Sequence, residues 1–277
     1  MNKLPETLSL GVVTLKTAQL DRLTHFYRDI IGLQVRQASA AECELGTATR
    51  PLIRLVFLPN GQPAPHHCGL YHTAIRVPNR TALADWLKQY VSVGYPGWQG
   101  ASHHGVSEAL YLADPEGNGI EVYCDTPRNT WHYQAGVLHM TSHALDLNDL
   151  ARQQSGLGWQ GIHPQSDVGH VHLKVHDIAA ARAFYIEKLG FDWVVGLGSA
   201  EFVSVGGYHH HLGYNVWESQ GRKALPATGI GLASWQIALP DTASLHQLCQ
   251  RLQLDKPQIQ DPSGNWLEFV LQTPPQN

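Results

Sequence analysis

The stretch Gly169–Phe191, GHVHLKVHDIAAARAFYIEKLGF, decides how the rest of the chain is read. Val171, Leu173 and Val175 alternate with His170, His172 and Lys174, the period of a strand with one apolar face and one chemically active face. A helix follows at once. Asp177 is placed to cap it, Ile178, Ala181, Phe184, Tyr185 and Leu189 fall near a 3.6 period, and Lys188 and Gly190 supply the C-terminal stop.

The same unit occurs earlier in the chain. GVVTLKTAQLDRLTHFYRDIIGL, Gly11–Leu33, aligns without a gap, placing Leu15 on Leu173, Lys16 on Lys174, Phe26-Tyr27 on Phe184-Tyr185 and Gly32 on Gly190. A second pair links other parts of the two halves. GLYHTAIRVP (Gly69–Pro78) matches GLASWQIALP (Gly231–Pro240), and DPEGNGIEVY (Asp114–Tyr123) matches DPSGNWLEFV (Asp261–Val270). Repeats of this length set the organisation before any local reading.

A chain of 277 residues, 43% hydrophobic, is long enough for two domains with real cores. The expected division is a first domain at 1–125 with modules 8–59 and 69–125, an ordered connector at 126–168, and a second domain at 169–277 with modules 169–217 and 229–271. The net charge is −4 with no block of like charges, so neither nucleic acid nor a membrane surface is an expected partner; a small molecule is. Cys43, Cys68, Cys124 and Cys249 are scattered without C-x-x-C spacing, which indicates neither a zinc ribbon nor a disulfide framework. MNKLPETLSL lacks the apolar core of a signal peptide and no apolar run is long enough to span a bilayer, so a cytoplasmic location is expected. Nothing in the sequence excludes a homo-oligomer. Histidine is the unusual component, with 17 residues, several of them at corresponding places in the repeats.

Taken in order, the modules differ at their active-face positions. Module one has Val12 where module three has His170, and a valine binds no metal. The linker NGQPAPHHC that follows carries His66-His67, which reads as a solvated loop pair. Module two has His72 at the matching strand position, a helix capped by Asn79 and carrying Leu83, Trp86, Leu87 and Tyr90, then a glycine-rich stretch with His103-His104. Its last strand sets Glu121 on one face with Gly119 and Tyr123. Module three continues into GGYHHHLGYNVW; read as a strand, this puts His209, His211 and Gly213 on one face and His210 on the other. His172, one step along from His170, reads as pocket lining, as do His209 and Tyr123. Module four has Ser234 where a histidine would stand and Glu268 where Glu121 stands, and its tail TPPQN reads as frayed.

The fourfold strand-helix-strands pattern, the xVxLxVxD…FYxxxLG signature and the closing DPxGNxxE strand resemble the vicinal oxygen chelate superfamily. More narrowly, nearly the whole chain is similar to two-domain type I extradiol ring-cleavage dioxygenases of the catechol 2,3-dioxygenase kind. The resemblance implies an α+β fold of four βαβββ modules paired into two concave mixed sheets. It implies a metal-dependent enzyme that cleaves a catechol-type aromatic diol with O2, with Fe(II), or Mn(II), held by two histidines and one carboxylate. Three protein ligands on one face leave positions open for both diol oxygens and for O2.

Under that resemblance, sequential pairing leaves each half one histidine short. Pairing module two with module three instead gives His72, His170 and Glu121 as metal ligands. Tyr111 lies where these dioxygenases place a tyrosine that holds substrate oxygen, with His104 upstream, and His211 lies where they carry an acid-base histidine. A second placement, with sequential domains, puts the iron on His170, His211 and Glu268. The same fold also carries metal-dependent glyoxalase- or epimerase-type lyases and isomerases, and metal-free antibiotic-binding proteins. The conjunction of two histidines and a glutamate at strand positions ranks the metal-free binding proteins last, and a pocket with four protein ligands would point to the isomerases and epimerases.

Overall fold

The computed structural model describes residues 3–272, so the expectation for the tail at 273–277 lies outside the described residues. Each module opens with a strand, turns through a helix, and returns with shorter strands. Module one supplies β1 (Ser9–Thr17), α1 (Leu20–Phe26), β2 (Gln34–Ala38), β3 (Glu42–Gly46) and β4 (Pro51–Phe57). Module two supplies β5 (Gly69–Arg76), α2 (Arg80–Val93), β6 (Trp98–His103), β7 (Ser107–Ala113) and β8 (Gly119–Asp125). Between the halves lie β9 (Tyr133–Gln134), β10 (Val137–Leu138), β11 (His143–Ala144) and α3 (Leu147–Ala151). Module three gives β12 (Asp167–Lys174), α4 (Ile178–Arg182), β13 (Asp192–Gly196), β14 (Ala200–Ser204) and β15 (Leu212–Asn215). Module four gives β16 (Gly231–Leu239), α5 (Thr242–Leu252), β17 (Gln258–Gln260) and β18 (Trp266–Leu271). Among the described residues module four therefore has two strands after its helix, where the βαβββ pattern expects three.

The helices form where capping chemistry and apolar spacing coincide. Asn79 accepts a hydrogen bond from the Ala82 amide at the start of α2, the helix buries Leu83, Trp86, Leu87 and Tyr90 along one stripe, and Gly94 ends it in the left-handed region at φ 66°. Asp177 caps α4 in the same way, accepting from the Ala180 amide. Both α1 and α4 then widen into a π turn, Tyr27–Ile31 and Ala183–Lys188, rather than continuing with the α period that the apolar spacing suggests.

The modules do not pair in sequence order. Modules two and three, with β11 of the connector at one edge, form one nine-stranded sheet, β11-β6-β7-β8-β5-β12-β15-β14-β13; modules four and one form a seven-stranded sheet, β17-β18-β16-β1-β4-β3-β2. At both seams the two first strands run antiparallel, β5 against β12 and β1 against β16. The segments 1–125 and 169–277 thus each give one module to both sheets, so the sheets cut across the division expected from the sequence. The seam of the larger sheet is clamped by Arg76 on β5, whose guanidinium donates to both carboxylate oxygens of Asp167 on β12 at 3.1 and 2.7 Å.

Consecutive modules are tied by a second, symmetric device. The tyrosine of each FY pair reaches the aspartate of the next module's DPxGN turn: Tyr27 donates to Asp114 at 3.2 Å, and Tyr185 to Asp261 at 2.8 Å. Each aspartate also accepts two backbone amides and an asparagine side chain of its own turn. Burial pushes both carboxyl groups above the usual carboxylate range, against the pull of these hydrogen bonds.

Candidate metal centre and its cavity

Strand register brings the candidate ligands together. His170 on β12 pairs with Ala74 on β5, and Ala74 pairs in turn with Glu121 on β8. Between two long side chains stands a single methyl group, so the imidazole and the carboxylate meet above it. His72 lies one step along β5, paired with His172 on one side and Gly119 on the other. The register shifts between Val168 and His170, which places Gly169 in a bulge. A Cβ on Gly169 would sit 2.0 Å from the Tyr123 hydroxyl, so only glycine allows this approach.

His72, Glu121 and His170 are all buried, and their Nε2, Oε2 and Nε2 atoms face one another. The separations are 3.1 Å from His72 to Glu121, 3.2 Å from His170 to Glu121 and 3.3 Å between the two histidines. Three donors at such spacing match neighbouring ligands about a first-row divalent ion at roughly 2.0–2.2 Å. The protonation states agree with that fit. Burial opposes the charge on Glu121, but His170 and His72 outweigh it and hold the carboxyl well below its usual range; burial depresses His170 to about 4 despite the carboxylate. An ionised carboxylate and a neutral imidazole are the ligand forms a metal requires. His170 Nδ1 is buried with no hydrogen-bond partner, so its ring is oriented by packing between Tyr123 and His210, at centroid distances of 5.0 and 4.0 Å.

A cavity of about 710 Å³ opens over these three residues. His104 and Tyr111 line it and bond each other. The Thr141 carbonyl accepts from His104 Nδ1 at 2.8 Å, which leaves Nε2 to accept from the Tyr111 hydroxyl at 2.7 Å. Burial, with Glu121 nearby, raises the Tyr111 phenol well above its usual value, so it stays protonated. Met140, Thr141 and Ser142 of the connector close this wall, a contribution that no motif or repeat in the chain marks.

His172 also lines the cavity, as expected, but is held apart from the donor cluster. Asn215 Oδ1 accepts from the Trp217 amide, so its Nδ2 donates to His172 Nε2 at 3.0 Å and occupies the lone pair a metal would need. Gly213 makes room for this ring, since a Cβ there would come within 3.1 Å of it.

The run His209–His211 departs from its expected geometry. Gly206 and Gly207 both have positive φ, 60° and 67°, and the chain turns there; β15 begins only at Leu212. The face assignment based on a strand therefore reverses. His210 lines the cavity, whereas His211 and His209, expected as catalytic and pocket residues, do not. His211 Nδ1 is bonded to Ser204 Oγ at 2.8 Å, and burial depresses it to about 3. His209 donates from Nε2 to Asp125 at 2.9 Å, and its Nδ1 lies 2.8 Å from Nδ1 of His210. With His209 Nε2 committed to the carboxylate, His209 Nδ1 accepts and His210 Nδ1 donates, leaving a lone pair on His210 Nε2. Tyr123, also expected in the pocket, instead lies behind His170 and bonds the Tyr208 hydroxyl at 2.7 Å. Asp125, Asn215 and Thr141 carry no sequence signal for these roles, because each acts on a histidine distant in the chain: His209, His172 and His104. Glu268 of the second placement is in the other sheet, bonded to Gln236 at 3.0 Å, and joins neither His170 nor His211.

Comparison with known proteins gives consistent findings. Residues 9–122 match the model of the Glyoxalase/Bleomycin resistance protein/Dioxygenase superfamily. The chain is 35% identical over 291 aligned residues to the catechol-2,3-dioxygenase of Bacillus subtilis (strain 168), covering 98% of this chain and 100% of that protein. It is 31% identical over 144 residues to biphenyl-2,3-diol 1,2-dioxygenase 3 of Rhodococcus globerulus, covering 49% of this chain and 74% of that protein. In fold it is similar to glyoxalase I from Zea mays, with a TM-score of 0.53 at 13% identity over 96% of this chain and 92% of that one.

Proposed function

This chain belongs to the Glyoxalase/Bleomycin resistance protein/Dioxygenase superfamily, and we propose from that premise that it is an extradiol dioxygenase, cleaving a catechol-type diol with O2. The observation that carries the reading is the three-donor set His72, His170 and Glu121 at the floor of the cavity, with His172 withheld by Asn215. A fourth ligand would favour the isomerase chemistry of the same fold. An Fe(II) ion, or Mn(II), held by these three residues would chelate the two hydroxyls and supply the electron transfer between diol and O2.

The remaining tasks fall to the chain. Tyr111, fixed by His104, presents its hydroxyl beside Glu121 and can hold a substrate oxygen. His210, not His211, is the histidine that faces the reacting ring. Burial holds its pKa well below the usual imidazole value, and its Nε2 lone pair can take a hydroxyl proton and return it as the ring opens. Phe202 and Tyr71 wall the cavity with aromatic surface and limit the water around the ring. Both atoms of O2 enter the product, and the broken bond lies just outside the diol. No helix among the described residues is long and apolar enough to cross a membrane.

The test is metal content measured together with turnover. Protein purified anaerobically is assayed for iron and manganese, then given catechol, methylcatechols and 2,3-dihydroxybiphenyl in air. The expected result is stoichiometric metal, oxygen uptake and a yellow ring-opened product. Metal without oxygen uptake on any diol would overturn the proposal.

A further inference from the structure

We propose that the diol taken by this cavity carries an anionic substituent and that Lys174 selects it, an inference that rests on the ring-cleavage reading above. His170, His172 and Lys174 follow one another along β12 and all line the cavity. Four residues of strand separate His170 from Lys174, roughly 13 Å, so the lysine stands at the end of the cavity away from the donor cluster. Between them Tyr71, His172 and Trp217 pack with centroids 5.0–5.6 Å apart, and Phe202 packs on His172 at 5.6 Å. This aromatic wall suits a ring whose side chain runs towards the lysine.

The charged residues lining the cavity are Glu121, Lys174 and Glu218. Lys174 is the cation among them, and its side chain is only 15% exposed. Its facing carboxylate, Glu218, is 62% exposed and stands 3.8 Å away, too far for a hydrogen bond. Among the described residues the ammonium has no hydrogen-bond acceptor. Its counterpart in the other sheet, Lys16, does: it donates to the Pro226 carbonyl at 3.4 Å. The Lys174 ammonium has no acceptor from the described residues, and a carboxylate arriving on the substrate would supply charge-assisted bonds. A neutral analogue forms no charge-assisted bond to the ammonium, which separates the acid from its ester.

The test compares a carboxylate with its ester. Metal-loaded protein is given 3-(2,3-dihydroxyphenyl)propanoate, 3,4-dihydroxyphenylacetate and the methyl ester of each; kcat/KM is measured in air, and binding is titrated without oxygen. The wild type is expected to favour at least one acid over its ester by about tenfold or more, the scale of a lost charge-assisted bond. Lys174→Met should abolish that preference while still turning over the esters. Lys174→Glu should reverse it, favouring 4-(2-aminoethyl)catechol over both acids. A wild type that treats acid and ester alike, or a Lys174→Met protein that keeps the preference, would overturn the inference. Cleavage of uncharged diols with no preference would sink this inference and leave the ring-cleavage reading intact. Tighter anaerobic binding of acid than ester, with no oxygen uptake on any diol, would do the reverse.

Discussion

Glu121 and Glu268 end the same turn-and-strand motif in the two sheets, yet only Glu121 meets imidazoles. The sheets share their seam geometry, including a register shift in each first strand, between Val168 and His170 in one and between Leu10 and Val13 in the other. They differ in what stands beside the carboxylate. In the nine-stranded sheet Ala74 pairs with Glu121; in the seven-stranded sheet Gln236 pairs with Glu268. The Gln236 amide donates to Glu268 at 3.0 Å, and its carbonyl accepts the Val12 amide at 3.0 Å, so one side chain fills the space and satisfies the acid. A short residue leaves the carboxylate open to two histidines, and a long polar one closes the same position. The fold supplies the carboxylate twice; the neighbouring residues decide whether imidazoles meet it.

Converting one region towards the other should break the difference. Ala74→Gln places a glutamine beside Glu121 as Gln236 stands beside Glu268, and should remove bound metal and lower turnover by roughly a thousandfold, on the order of 4 kcal/mol. Metal analysis on the purified variant checks this before any kinetics. Tyr111 faces Glu121 where Gln258 faces Glu268. Tyr111→Phe should leave metal in place and reduce kcat by about a hundredfold, the low end for a lost acid-base group.

The two bulge glycines sit at matching places in the two sheets. A Cβ on Gly169 would meet the Tyr123 hydroxyl at 2.0 Å, and one on Gly11 would meet Gln236 at 2.7 Å. Each alanine variant should lose about 1–3 kcal/mol of stability through overpacking. Only Gly169→Ala should also weaken metal binding, because it displaces His170. Urea titration and metal affinity measured on both variants separate the two effects.

Acid should affect the sheets unequally. Burial lowers the pKa of His170 to about 4 and of His211 to about 3, and also lowers His172, His209 and His210, all in module three of the nine-stranded sheet. Below the unfolded imidazole value of about 6.5 the unfolded chain takes up protons that the native chain refuses, so stability falls as pH drops towards the folded values. Each imidazole contributes a slope of up to about 1.4 kcal/mol per pH unit. The urea midpoint of the metal-free protein should therefore decline from near pH ~6.5 downwards, and His211→Gln should make the decline shallower.

Much of this was legible because the chain repeats itself. Aligning the modules fixed which strand positions correspond, and strand alternation then put His72, His170 and Glu121 on active faces. The choice of module two with module three followed from counting donors, and the sheet order agrees with it. Local patterns failed where distant partners decide. The alternation predicts a strand at His209–His211, but two positive-φ glycines turn the chain and direct His210 rather than His211 to the cavity. Tyr123 shares a face with Glu121 in the pattern, yet Gly169 leaves room for its hydroxyl behind His170. The division into sequential domains missed that each half contributes to both sheets, since a crossing of that kind is fixed by seam pairing and leaves no local mark.

The most direct test sets the two carboxylates against each other. Glu121→Ala and Glu268→Ala are purified anaerobically with the wild type, and each is measured for iron content and oxygen uptake with catechol. Glu121→Ala is expected to lose both while Glu268→Ala retains both. Full iron and activity in Glu121→Ala would contradict this expectation.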